Sequence, residues 1–424
     1  MRIALIVHKF PPSSLGGTEI YTRNLARALS PQHEVFVFYR DQGDGRAFRE
    51  EWEDRDGFAA RRVSRAFNVK GASPPALFAD TFFNRDVERA FGRFLDEVQP
   101  DLVHFQHLML LSYRLMAQAK ARGLPALLTL HDYWFVCSNS QLIWPDGEIC
   151  RGKAWGMNCA RCATARMGQP WLVATRPMIA ALLQLRDTLL RQAALQADQF
   201  VAPSRFLIDR YVAEGFPSAR FTFLENGLDV ARIRSLTSAS PSGDRLRVTY
   251  LGSLAWQKGV HILVKAFRHL PPDQAVLRIF GNPDTFPAYS ADLRNLANQP
   301  NISLEGSVPN ELVGRVLAET DILAVPSLWY ENSPVVIQEA RAAGVPVMAS
   351  AHGALREKVR DGVDGLLVPP GDVAAWVAAL ARVMVDSDLV ARLRANVEPP
   401  MTLAEHATKV QRIYQQLVDR PDQG

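Results

Sequence analysis

Glu331 and Glu339 stand in the run Trp329-Tyr330-Glu331-Asn332-Ser333-Pro334-Val335-Val336-Ile337-Gln338-Glu339-Ala340, with a serine-proline pair between them. Serine then proline is a favoured N-cap and first-turn pair, so a helix is predicted to start at Ser333 with the positive end of its dipole and its free N–H groups outward. Carboxylates accept hydrogen bonds from hydroxyls, and helix-start amides hold phosphate oxygens. Together they suit a ligand that is both polyhydroxylated and phosphorylated. The same two residues would serve equally as a solvated glutamate and a capping glutamate, and the spacing alone leaves both readings open.

Three other segments carry chemistry of the same kind. Gly16-Gly17 lies in Phe10 to Glu19 directly ahead of a helical pattern, where paired glycines serve either as a flexible turn or as a close backbone approach to a bound oxygen. His131 closes the apolar run Ala126 to Leu130, where an imidazole can reach a ligand hydroxyl or tie down its own loop. Lys258 sits in the glycine-bounded loop Gly252 to Gly259, placed to neutralise a phosphate. No GxGxxG and no GxxxxGK[ST] occurs, which removes the main sequence support for dinucleotide oxidoreductases and P-loop kinases.

The elements that must position these residues follow from periodicity. Apolar runs at 2–7, 33–39, 101–106, 125–130 and 198–202 alternate with helical patterns such as Glu19 to Leu29 and Thr81 to Val98. The grammar restarts at Leu246, with strands near 275–280, 301–305, 321–326, 345–350 and 364–368. Continuous apolar strands separated by amphipathic helices indicate parallel sheets covered on both faces, hence an α/β chain of two doubly wound, Rossmann-like domains. A length of 424 residues also exceeds what a single core holds, roughly 250 to 300. The expected division is 1–236, a linker at 236–244, and 245–402, with a C-terminal helix from 403 packing across the domains. Ligands of such sheets bind outside the carboxyl ends of the strands, which is where all four segments fall. A net charge of +4 with 22% charged residues excludes the global basic field of a nucleic-acid binder.

With those residues in view, the chain resembles the retaining glycosyltransferases of GT-B fold, family four. Glu331 and Glu339 match that family's E-x7-E motif. The GGxE loop, His131-Asp132-Tyr133-Trp134, Ala202-Pro203-Ser204, Asn226-Gly227-Leu228-Asp229, the Gly252 to Gly259 loop, Ala343 to Val347 and Asp361 to Gly365 follow in the family's order. The resemblance covers about residues 1 to 135 and 197 to 420. It implies two domains facing across a cleft and transfer of a sugar from a UDP- or GDP-sugar to a glycan or lipid-linked acceptor, with retention of configuration and no catalytic metal.

By the same resemblance Gly16 and Gly17 approach the donor phosphates and His131 contacts the transferred sugar. Glu331 takes its hydroxyls, and the amides around Asn332, Ser333 and Val335 support sugar and diphosphate. Glu339 grips the ribose, and Lys258 balances the leaving diphosphate. The family usually has arginine where this chain has Ser253, so Lys258 stands alone in that donor loop. Rival expectations are a GT-B phosphorylase or epimerase, or a non-catalytic nucleotide-sugar-binding scaffold subunit.

From Cys137 to about Leu195 the pattern breaks into an insertion that holds all four cysteines, Cys137, Cys150, Cys159 and Cys162. The C-x2-C pair suggests a structural zinc site, with free structural thiols as the other reading. The helical run after it carries Met178, Leu182, Leu183, Leu185, Leu189 and Leu190 with Arg176, Arg186 and Arg191. Such a helix either packs on its own domain or rests on an anionic membrane surface. The N-terminal apolar run is too short for a signal peptide and no window reaches a spanning length, so the expected location is the cytoplasm, free or peripheral on the inner membrane face.

Overall fold

The protein is described from a computed structural model, which covers residues 1–43, 47–65, 74–169, 171–236 and 245–420. It divides into two compact units. The first comprises Met1–Pro145, Cys150–Gly227 and the chain from Leu403; the second comprises Leu228–Thr402 with Asp146–Ile149. The division falls at Gly227/Leu228, ahead of position 236, because Val230 and Ile233 are buried in a core with Leu317, Leu323 and Ile337 of the second unit. The expected linker at 236–244 lies, past Leu236, outside the described residues. The helix Leu403–Val418 belongs to the first unit, where it packs on the helix Gly17–Leu29.

The first unit is built on eight strands: β1 (Arg2–Val7), β2 (Glu34–Gln42), β3 (Arg49–Arg55), β4 (Phe58–Arg65), β5 (Leu102–Phe105), β6 (Ala126–Thr129), β7 (Gln199–Ala202) and β8 (Phe221–Phe223). Their order is β3-β4-β2-β1-β5-β6-β7-β8, parallel except for the β3/β4 hairpin. β1, β5 and β6 are buried almost throughout, as expected of strands covered on both faces. Sequence reading found these three and missed β3, β4 and β8. β3 reads Arg-Glu-Glu-Trp-Glu-Asp-Arg, a poor strand composition that works here because it is an exposed edge whose charges pair, as in Arg62–Glu51 at 2.6 Å.

The second unit has six parallel strands: β9 (Leu246–Leu251), β10 (Ala275–Phe280), β11 (Ile302–Gly306), β12 (Ile322–Val325), β13 (Val347–Ser350) and β14 (Gly365–Val368), in the order β11-β10-β9-β12-β13-β14. The order reverses direction after β9, whose neighbours are β10 and β12. Such a switch point opens a crevice at the carboxyl ends of the two central strands. The loops leaving β9 and β12 are those that carry Lys258 and Glu331.

The insertion occupies the connection from β6 to β7. It contains two helices, Met157–Arg166 and Arg176–Ala194, packed against each other. The second of them is itself the crossover helix between parallel strands, with Leu183, Leu190, Ala193 and Ala194 buried. Arg186, expected on a basic outer face, points inward instead: it is 2% exposed and paired with Asp187 at 2.8 Å.

Candidate active site

In the second unit the expected residues gather around Glu331. The β12 strand ends at Val325, and the following loop turns the Glu331 side chain into the interior, where it is 5% exposed. One oxygen, Oε1, accepts three hydrogen bonds: from Lys258 Nζ at 2.7 Å, from Ser327 Oγ at 2.7 Å and from Trp329 Nε1 at 2.8 Å. Burial alone would raise this carboxyl, but the Lys258 ammonium and the two neutral donors outweigh it and hold Glu331 below the ordinary glutamate value. The site therefore contains a buried, ionised carboxylate. Lys258 also lies 5.1 Å from the centre of the Trp329 ring, a second contact that fixes the ammonium.

Lys258 reaches this place because its loop presses against the next strand end. Gly259 has φ +70°, and a Cβ there would overlap the Pro326 carbonyl oxygen. Only glycine satisfies both the left-handed backbone and the close approach. Ser253, which stands in place of the family's arginine, has its carbonyl held by the Tyr250 hydroxyl at 2.8 Å.

The helix after Glu331 runs Val335–Ala342 with Pro334 as its N-cap, so it begins one or two residues later than the serine-proline pair predicts. Ser333 is freed from capping as a result. Its Oγ is buried and makes no hydrogen bond to protein, an unsatisfied polar group of the kind that a ligand relieves. Asn332 is 7% exposed, and Val335 supplies the first helical amide. Glu339 lies on the buried side of that helix and receives Arg232 Nη2 at 2.9 Å. Burial raises its carboxyl above the usual value and Arg232 offsets only part of the rise.

The first unit carries the other expected residues. Gly16 is the N-cap of the helix Gly17–Leu29 and Gly17 its first residue. A Cβ on Gly16 would collide with the Glu19 carboxylate, whereas one on Gly17 would meet nothing within 4 Å. Glu19 is buried beneath the loop, accepts Ser14 Oγ at 2.7 Å and lies 3.5 Å from His8 Nε2. His131, one residue past Leu130, donates from Nε2 to Gln106 Oε1 at 2.9 Å and lies edge-on to Tyr21 at 4.9 Å between ring centres. Burial, with His107 nearby, pushes it down to about 3, so its imidazole is neutral at physiological pH. A neutral ring fixed through Nε2–H presents the Nδ1 lone pair as an acceptor.

Lys258 and Glu331 were read from the sequence as separate ligand contacts; the structure joins them in one ion pair. Ser327, Trp329, Arg232 and Gln106 were not singled out. Arg232 had a signal, since it follows the Asn226 to Asp229 motif and its amide is capped by Asp229 at 3.0 Å. Gln106, at the end of β5, had none that a single sequence displays.

The zinc expectation falls on the four cysteines of the insertion. All four are free and half-buried, and among the described residues no group of three or more His, Cys, Asp or Glu is arranged to hold a metal ion. Burial, with Asp187 nearby, pushes the Cys159 thiol up to about 12, and burial raises Cys137 as well.

Two family descriptions match the chain: Glycosyltransferase Family 4 over residues 15–232, and Glycosyl transferases group 1 over residues 236–398. The chain belongs to glycosyltransferase family 4. A D-inositol 3-phosphate glycosyltransferase of Xylanimonas cellulosilytica is 35% identical over 153 residues, 35% of this chain and 36% of that protein. The chain spans about half the length of the curated relatives it matches. Among solved structures, sucrose-phosphate synthase from Thermosynechococcus elongatus superposes with a TM-score of 0.67 at 20% identity, covering 98% of each chain. Anabaena HepE in complex with UDP and glucose superposes with a TM-score of 0.63 at 16% identity, covering 98% of this chain and 100% of that one. These likenesses establish the GT-B fold for the family 4 chain.

Proposed function

We propose that this family 4 protein is a retaining, metal-independent glycosyltransferase, moving a sugar from a UDP- or GDP-sugar to a glycan or lipid-linked acceptor in glycoconjugate biosynthesis. The observation that carries the reading is the buried Glu331 carboxylate, held ionised by Lys258 just ahead of a helix start where Ser333 Oγ is unsatisfied. A sugar diphosphate answers both demands: its hydroxyls donate to Glu331, while its phosphate oxygens accept from Lys258, Ser333 and the amides around Asn332 and Val335. Donor binding then exchanges the Lys258–Glu331 pair for two ligand contacts, so neither charge is left buried and alone.

Lys258 is the group that answers the growing negative charge as the glycosidic bond to the diphosphate lengthens, a preorganised contact of the kind that contributes most inside a dry site. Glu339 holds the ribose. Gly16 and Gly17 offer backbone to the phosphates, and the neutral His131 contacts the transferred sugar. Nucleotide-sugar chemistry is supported by HepE, solved with UDP and glucose. The proposal is tested by calorimetric or saturation-transfer NMR titration of the protein with UDP-, GDP- and ADP-sugars, repeated on Glu339→Ala. One nucleotide sugar should bind selectively and lose at least about tenfold in affinity in the variant. A folded protein that binds none of them sinks the transferase reading.

A further inference from the structure

Fifteen large apolar side chains are exposed among the described residues, and eight of them fall between Trp155 and Leu185, a stretch of 31 residues. Three lie on the helix Arg176–Ala194 as Met178, Leu182 and Leu185, 62%, 47% and 58% exposed, one stripe at helical spacing. This helix is apolar on both sides, since its buried side carries Leu183 and Leu190 beside the Arg186–Asp187 ion pair and its outer side Met178, Leu182 and Leu185. The two tryptophans stand beyond the helix: Trp171 in the loop before it, 69% exposed, and Trp155, 89% exposed.

Trp155 belongs to the same insertion. Ala154, Trp155 and Gly156 all have positive φ, at 45°, 57° and 83°, and this turn brings Gly156 so close to the helix that a Cβ would lie 2.7 Å from the Ala180 carbonyl oxygen. Charge is equally one-sided: from Ile149 to Leu185 the chain has Arg151, Lys153, Arg161, Arg166 and Arg176 and no acidic residue.

We propose that this insertion surface seats the protein on an anionic lipid bilayer, the apolar stripe and both tryptophans entering the headgroup region and the arginines facing phosphates. The combination favours lipid over a protein partner, because exposed tryptophans and an apolar stripe in a stretch whose charged residues are all basic are the pattern of an interfacial helix. No helix among the described residues is long and apolar enough to cross a membrane, so the attachment is peripheral. That the seat brings lipid-carried acceptors to the transferase rests on the function proposed above; the seat itself does not.

The test is co-sedimentation of the full chain with vesicles of phosphatidylcholine and of equal parts phosphatidylcholine and phosphatidylglycerol, with no nucleotide sugar present. The wild type should bind the anionic vesicles and be released by salt. Two double variants, Trp155→Glu with Trp171→Glu and Leu182→Glu with Leu185→Glu, should each lower the partition coefficient roughly tenfold or more, with unfolding midpoints unchanged because these side chains are exposed. Absence of wild-type binding, or variants that bind as the wild type does, overturns the proposal. So does a concentration-dependent dimer that the same substitutions dissociate, since the stripe would then be covered by a second copy. Nucleotide-sugar titration of the same samples separates this outcome from failure of the transferase reading.

Discussion

Replacing Lys258 by alanine removes a cation bonded to a carboxylate that is 5% exposed, leaving Glu331 with Ser327 and Trp329. Breaking a fully buried pair costs about 3–5 kcal/mol. The Lys258 side chain is 24% exposed, so solvent screens part of the loss, and two neutral donors remain. An expected cost of about 2 kcal/mol follows. For a unit of this size, about 2–4 °C per kcal/mol gives a fall in the second unit's unfolding midpoint of roughly 4–8 °C. Thermal unfolding of wild type, Lys258→Ala, Glu331→Gln and the double variant forms a cycle, in which the double should be destabilised by at least about 1 kcal/mol less than the sum of the singles.

The pH dependence of that coupling is fixed in sign. The folded carboxyl is depressed, so its stabilisation is fully present above the unfolded glutamate value and is lost as pH falls through the lower folded one. Single effects that add to within about 0.3 kcal/mol, or a coupling unchanged down to the acid limit of folding, would show that the two charges do not depend on each other.

Gly259→Ala should destabilise the second unit by about 3 kcal/mol or more in chemical denaturation, since it combines a left-handed φ with overlap on Pro326; a loss below about 1 kcal/mol would mean the loop relaxes freely. Gln106→Met removes the acceptor that orients His131, so kcat should fall about tenfold or more with donor KM nearly unchanged, and an unaltered kcat would deny Gln106 a positioning role. The first unit should lose stability on acidification, because His131 and His406 are depressed to about 3 and about 4 from 6.5 and the unfolded chain binds their protons first. Urea midpoints measured from neutral pH downward should fall below pH 6.5, and His131→Gln should flatten the decline; a flat wild-type profile would contradict the assignment.

The parallel cores were legible because strands covered on both faces read as short apolar-rich runs: β1, β5, β6 and β12 all announce themselves in this way. β3 did not, since an exposed edge strand is stabilised by partners such as Arg62–Glu51 that only the folded sheet supplies. The same contrast holds at the site. Glu331, Lys258 and His131 could be picked out as ionisable groups at strand ends, yet the bond between Lys258 and Glu331 joins residues 73 apart and no local pattern encodes it. The helix begins later than the serine-proline pair predicts for a local reason: proline serves as the cap itself, and the Ser333 hydroxyl is left without a hydrogen bond to protein. In the insertion, periodicity identified the helix but not which side faced inward, because Arg186 finds its partner in the adjacent Asp187.

The first unit is also discontinuous in the chain, and this orders events during synthesis. Tyr21 donates to His406 at 2.8 Å across a separation of 385 residues, and His104 shares a hydrogen bond of 2.7 Å with Tyr414 across 310. At about 5–20 residues per second, roughly 20 to 80 s pass between the emergence of Tyr21 and that of its partner. Throughout that interval the nascent first unit holds Tyr21 without His406 and His104 bonded to Thr129 but not to Tyr414, while the intervening residues through Thr402 emerge and can close their own core. The last helix thus acts as a delayed latch, and the ribosome must finish the second unit before the first can be sealed.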